Sequence, residues 1–304
     1  MENEEKEEEE FNVMSDIDDL QNALKEKEIT KIVELICKRT NSQRQKIKDA
    51  YYSTWGTDLL KELDSKLSGN IQKLILGLMK TPEDFDANEL YLSMKGLGTN
   101  ELILSEIIAT RPSRHLLQVK ERYPALYKET LDKDIIGDTS KCYQKILIAT
   151  IQGKRSDNPY PNTQKMKDIV EKLNGGETGK ISEDSLVQYF GSCSYGEICT
   201  ICRLYEKTYK SAILDDIKNS VDGDAYNYFT MFLDYISDPG CFFAEKLHNF
   251  KEEDLIRILI SRSEVDMDEI RDAYKELYKT ELVDDLKEKT KGDFQLGLSI
   301  LAQK

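Results

Sequence analysis

The chain has no apolar run long enough to cross a membrane. Its best, Leu74 to Met79, is six residues and includes Gly77, against the roughly 20 that a spanning helix needs. Proline and glycine number 6 and 16 in 304 residues, too little punctuation for many short strands, so an all-α protein is expected. Histidine is almost absent: His115 and His248 are the only two, neither beside a nucleophile visible in the sequence, and no Gly-x-Ser-x-Gly, His-Glu-x-x-His or EF-hand loop occurs. No enzymatic activity is expected. The acidic first residues do not have the basic-then-apolar pattern of a signal peptide, and no Asn-x-Ser/Thr sequon is present, so a cytoplasmic protein is expected.

Six cysteines, Cys37, Cys142, Cys193, Cys199, Cys202 and Cys241, are scattered through apolar helical contexts and read as reduced, buried thiols. Cys199 and Cys202 form a C-x-x-C without a second pair, which favours core packing over a zinc or redox role. Positive charge is also short, with 43 Lys and Arg against 57 Asp and Glu for a net −14. The stretch Met1 to Glu10 holds seven Glu and one Lys and reads as a solvated, disordered arm. This balance excludes a nucleic-acid binder resting on bulk charge, and unassisted adhesion to anionic lipid. A bridging cation reverses the second exclusion.

What is present is repetition. With Arg39, Arg111, Cys193 and Arg262 in one column, the chain aligns with itself, and Tyr51, Tyr123, Tyr205 and Tyr274 each follow twelve residues later. Further columns carry Ile47, Val119, Ile201 and Ile270 at +8, then Leu59, Leu131, Ile213 and Leu282 at +20. Leu63, Ile135, Ile217 and Leu286 follow at +24, and Ile75, Leu147, Phe229 and Leu298 at +36. Pairs one helical turn apart place the same buried stripe on at least two helices of each unit. Gly69, Lys141, Gly223 and Gly292 share the +30 column, where a turn precedes the last helix. Ser194 with Glu197, and more weakly Ser263 with Asp266, signal helix starts. The expected organisation is a disordered acidic tail (1–15), repeat 1 (16–81), repeat 2 (82–153), a Pro-bearing linker between two halves (154–162), repeat 3 (163–238) and repeat 4 (239–304).

Within repeat 2, Ser93-Met94-Lys95-Gly96-Leu97-Gly98-Thr99-Asn100-Glu101 interrupts two helical patterns, and forty residues after Gly98 stands the segment Ile136-Gly137-Asp138-Thr139-Ser140. This G-x-G-T loop with its later G-D-T-S segment, in one of four repeats of this length, resembles the annexin family. The likeness extends to Ile107–Arg111 and Leu67–Gly69 and covers roughly residues 16 to 304. It implies about five short helices per repeat, arranged as a slightly curved disk in two halves. It implies Ca²⁺ as the bound ion, with the carbonyls of Met94, Gly96 and Gly98 and the carboxylate of Asp138 as ligands, and Thr99 and Glu101 as a weaker flanking site. Calcium takes six to eight oxygens, which carbonyls, carboxylates, water and lipid phosphate all supply. The implied partner is an anionic phospholipid surface, approached from the cytoplasm when calcium rises. Cytoskeletal or other protein partners and self-association on membranes stay open.

The other repeats depart from the pattern. Repeat 1 has Lys25–Glu28 in place of the loop and Lys66 at the acid position, and repeat 4 has Asn249–Glu253 and Lys289. Repeat 3 keeps glycines over Gly175–Ser182, but Lys180 takes the second glycine position and Ser220 the acid position, with Asp222 or Asp224 as substitutes. A one-site protein is expected to need more calcium; the alternative is a calcium-independent structural or cytoskeleton-associated scaffold. Asp86, Glu89, Glu106, Arg111 and Arg262 match the central charged cluster of the family, through which ion passage has been suggested; a buried salt-bridge clamp between the halves is the expected role.

Overall fold

Columns of apolar residues at helical spacing become five helices in every repeat. The computed structural model describes residues 11–156, 160–174, 180–249 and 251–304; among these, twenty α-helices and no strand are found. Repeat 1 contributes α1 (Val13–Glu26), α2 (Ile29–Lys38), α3 (Asn41–Trp55), α4 (Leu59–Lys66) and α5 (Gly69–Leu78). Repeat 2 contributes α6 (Pro82–Met94), α7 (Glu101–Thr110), α8 (Ser113–Tyr127), α9 (Leu131–Asp138) and α10 (Lys141–Ile151). Repeat 3 follows with α11 (Thr163–Leu173), α12 (Glu183–Ser192), α13 (Tyr195–Tyr209), α14 (Ile213–Lys218) and α15 (Gly223–Ser237). Repeat 4 closes with α16 (Pro239–His248), α17 (Glu252–Arg262), α18 (Met267–Tyr278), α19 (Leu282–Lys289) and α20 (Gly292–Leu301). The acidic stretch Met1 to Glu10 lies outside the described residues.

Every residue of the five apolar columns is at most 4% exposed, so each contributes the roughly 1.5–3 kcal/mol of a buried large side chain. The column tyrosines do more than pack. Their hydroxyls donate to a carboxylate eleven residues on: Tyr51 to Glu62 at 2.8 Å, Tyr123 to Asp134 at 2.7 Å, Tyr205 to Asp216 at 2.9 Å and Tyr274 to Asp285 at 2.5 Å. Each ring also meets an aromatic one turn later, Trp55, Tyr127, Tyr209 or Tyr278, at centroid distances of 4.7–5.0 Å. Trp55 is therefore a member of the repeat core.

The third helix of each repeat ends on a left-handed residue, Gly56, Lys128, Lys210 or Lys279. Its start is less uniform. Ser194 and Glu197 form the expected capping box, and Thr40 with Gln43 forms another. Ser263 and Asp266 do not: Ser263 sits at the C-cap of α17 in right-handed conformation, and α18 begins only at Met267. The Asp266 carboxylate is engaged by Arg262 instead.

The chain groups into two compact units that do not follow sequence order. One consists of Met1–Phe85 with Gly240–Lys304, the other of Asp86–Pro239. Repeat 1 thus packs with repeat 4, and repeat 2 with repeat 3. In both units the second helix of one repeat lies on the fifth helix of the other, reciprocally: α2 on α20 and α17 on α5, then α7 on α15 and α12 on α10. Gly77 and Gly191 sit at such crossings, where an added Cβ would stand 2.6 Å from Ile260 and 2.9 Å from Ala149.

The segment 154–162 does not part these units, contrary to its reading as a linker between halves. Its Arg155 is buried, with Nη1 and Nη2 each donating at 2.8 Å to the carbonyls of Cys193 and Phe190. The guanidinium lies 4.8 Å from the Phe232 ring centroid. A segment whose cation satisfies the end of α12 is part of the second unit's packing.

Candidate calcium site

The link between α6 and α7, Lys95 to Asn100, is the site's first element. Gly96 and Gly98 have φ of 111° and 90°, with open space where a Cβ would stand. That conformation suits glycine and frees a short loop to present successive carbonyls on one side. Met94, the last residue of α6, carries a carbonyl its own helix cannot satisfy. The loop is closed by the Asn100 amide donating to the Ser93 carbonyl at 2.7 Å, while the Asn100 side chain caps α7. Leu97, between the two glycines, is fully exposed.

Asp138 is the second element, the last residue of α9 and exposed to solvent. The two elements are tied: the Thr99 hydroxyl donates to the Asp138 carbonyl at 3.2 Å. Gln144 holds the turn after Asp138 by donating to the carbonyls of Ile136 and Thr139 at 3.0 and 2.6 Å. Tyr143 joins α10 to α7, its hydroxyl 2.8 Å from Ser105 Oγ and 3.1 Å from the Glu101 carbonyl. Neither Gln144 nor Tyr143 stood out in the sequence, although Gln72 and Gln295 occupy the Gln144 column and clamp the same turn in repeats 1 and 4. Among the described residues no three or more His, Cys, Asp or Glu gather as a metal cluster. The donor set is backbone carbonyls with a single carboxylate, oxygen throughout, and it fits a hard cation that keeps open positions.

Behind Asp138 lies a cavity of 830 Å³ in the second unit, between the start of α10 and the start of α15. Glu101, Asp138, Glu183, Asp222 and Asp224 line it together with Lys141 and Lys218. Repeat 3 thus brings Asp222 and Asp224 to the same cavity; Ser220, at the acid position, also lines it, with its hydroxyl donating back to the Asp216 carbonyl at 3.1 Å. Most of its glycine loop, 175–179, lies outside the described residues.

In repeat 1 the corresponding link is only Lys27 and Glu28, with Lys27 left-handed, and Lys66 ends α4 where Asp138 ends α9. In repeat 4, Lys289 ends α19 and reaches Asp285 at 3.4 Å.

The charged residues Asp86 and Arg111 form a buried fork, Nε to Oδ2 at 2.8 Å and Nη2 to Oδ1 at 3.1 Å, with His115 Nε2 2.8 Å from the same Oδ2. Burial alone would raise the Asp86 pKa, but the Arg111 charge and the hydrogen bonds of His115 and Arg111 outweigh it and hold the carboxyl below its ordinary value. Repeat 1 has the same fork, Arg39 to Asp16 at 2.6 and 2.7 Å. Glu106 is buried, and Glu89 accepts from Asn88 at 3.2 Å. Arg262 pairs with Asp266 and stacks on Phe243 within the first unit.

The Annexin family model matches residues 16–78, 85–150 and 243–301. Horse (Equus caballus) annexin A1 is 35% identical over 94% of this chain and 85% of its own length. Pigeon (Columba livia) annexin A1 isoform p37 is 33% identical over 96% and 88%. Among solved structures, annexin III superposes with a TM-score of 0.93 at 28% identity, covering 97% of this chain and 95% of its own. A calcium-bound annexin (Sm)1 gives 0.86 at 26%, covering 96% and 90%. The chain belongs to the annexin family, and its four repeats of five helices are the fold of that family.

Proposed function

We propose that this protein binds calcium and attaches through it to anionic phospholipid membranes, with repeat 2 carrying the bridge. The observation that supports this most is the Thr99–Asp138 tie at 3.2 Å, which holds the glycine loop against the only retained family acid. Met94, Gly96, Gly98 and Asp138 would then hold the ion, with Thr99 and Glu101 beside it, and a lipid phosphate would complete the shell. The calcium-bound state of annexin (Sm)1 supports the choice of ion. Leu97 at the loop tip would enter the interfacial region, where an exposed apolar side chain is at home. The protein would be cytoplasmic and reach the membrane as calcium rises.

Single-site attachment lacks the gain that several linked weak contacts provide, so the calcium dependence should be shallow. Co-sedimentation with phosphatidylserine vesicles over a calcium titration, comparing the parent protein with Asp138→Ala, tests the reading. Pelleting of the parent only with calcium, and its loss in the variant, is the expected result. The two-residue link of repeat 1 and the Lys66 and Lys289 substitutions favour a second reading, a calcium-independent scaffold for cytoskeletal or other proteins. Equal pelleting of both proteins, or of neither at millimolar calcium, would leave that scaffold as the better account.

A further inference from the structure

Lys141 stands where the other three repeats have glycine. Gly69, Gly223 and Gly292 open the fifth helix of their repeats at φ of 64°, 53° and 64°, and Lys141 opens α10 at φ 53°. A side chain with a Cβ is disfavoured in that conformation. The chain tolerates left-handed lysines elsewhere, Lys27, Lys128, Lys210 and Lys279, but those end helices, where the helix dipole welcomes a cation. Lys141 begins one, at the positive end. Its ammonium forms no ion pair or hydrogen bond among the described residues; it is exposed and lines the cavity that Asp138 also lines. Strained backbone, the unfavourable end of a helix and an unpaired charge thus coincide in the one repeat that retains the loop and the acid.

We propose that Lys141 is a specificity-determining contact to the anion that completes the calcium shell: its ammonium binds an oxygen of the phosphate that the ion at Asp138 bridges. The inference rests on the calcium reading of repeat 2. Two cations facing one cavity repel until a phosphate lies between them, so Lys141 should act with opposite signs in the two states. It weakens calcium binding in solution and strengthens it on a phosphate-bearing surface.

The test uses the full chain and its Lys141→Gln and Lys141→Gly variants, the second restoring the glycine of the other repeats. On phosphatidylserine vesicles both should need about fivefold more calcium for half-maximal pelleting, the worth of one basic side chain near an anionic surface. Without vesicles, calorimetric calcium affinity should be higher in both; an equal or lower affinity would overturn the opposite-sign action. Lys141→Gly should melt no lower than the parent, which separates the effect from damaged folding. Inorganic phosphate that tightens calcium binding in the parent but not in the variants would extend the site to the free anion; tightening by vesicles alone would confine it to lipid. Unchanged vesicle midpoints in both variants, with Asp138→Ala still losing its pelleting, would overturn this inference alone. A parent that does not pellet with calcium would overturn the reading beneath it as well.

Discussion

Repeats 1 and 2 share a scaffold down to single hydrogen bonds and differ at the site. Both have the Tyr-to-carboxylate bond, the aromatic one turn later, the Arg–Asp fork and the glutamine that clamps the last turn. Yet the first link between helices is two residues in repeat 1 and six in repeat 2, and the residue ending the fourth helix is Lys66 in one and Asp138 in the other. The core tolerates this because link and acid both lie on the surface, where few buried contacts depend on them. A repeat can therefore lose the loop and the acid without losing its fold.

The comparison is broken most completely by giving repeat 2 the residue of repeat 1. Asp138→Lys should abolish calcium-dependent pelleting at millimolar calcium while leaving the helical circular dichroism unchanged.

The forks give the next effect. Asp86 and Arg111 are 3% and 4% exposed at their side chains, whereas Arg39 is 23% exposed. Arg111→Met strands a buried carboxylate and should cost about 3–5 kcal/mol in urea unfolding. Arg39→Met should cost less, about 1–2 kcal/mol, because the Arg39 side chain itself stands partly in water and its charge is screened there. The Asp86 fork should also respond to pH. Asp86 has a depressed folded pKa, so its contribution is present above the ordinary carboxylate value near 4 and is lost as pH falls through the lower folded value. Unfolding midpoints measured from pH 6 downward should fall for the parent below about pH 4, with a smaller slope in Arg111→Met.

Smaller still is the tyrosine lock. Tyr51→Phe and Tyr123→Phe should each lose about 1 kcal/mol, and near-equal losses by urea unfolding would show that the bond belongs to the scaffold rather than to the site. The smallest change separates the helix ends, where repeat 1 has Gly56 and repeat 2 has Lys128. Lys128→Gly should raise stability by about 0.5 kcal/mol, the relief of left-handed strain less the added freedom of the unfolded chain.

Much of the scaffold was legible in the sequence. The Tyr column, its apolar companions and the turn glycines mark five helices per repeat, because helical periodicity is a local property. The candidate site was legible as a resemblance of the Gly96, Gly98 and Asp138 pattern. The residues that tie it, Gln144 and Tyr143, were not, since a glutamine or tyrosine on a helix carries no signal until the carbonyl it meets is placed. The carboxylates that receive the tyrosines were hidden in the same way among many surface acids, although they too recur at a fixed spacing. The Ser263–Asp266 signal failed because Arg262, one turn before Asp266, takes its carboxylate.

The sequence by itself determined an all-helical chain of four repeats, the stripe that each helix buries and one repeat that pairs a glycine loop with an acid at the end of its fourth helix. Only the tertiary structure decided which repeats pair, setting 1 with 4 and 2 with 3 around reciprocal contacts of second and fifth helices. It also drew Arg155 out of an apparent linker into the second unit. The reason is physical: an apolar stripe states that a face must leave water but not against which partner. That choice falls to shape, as where Gly77 and Gly191 let one helix approach another.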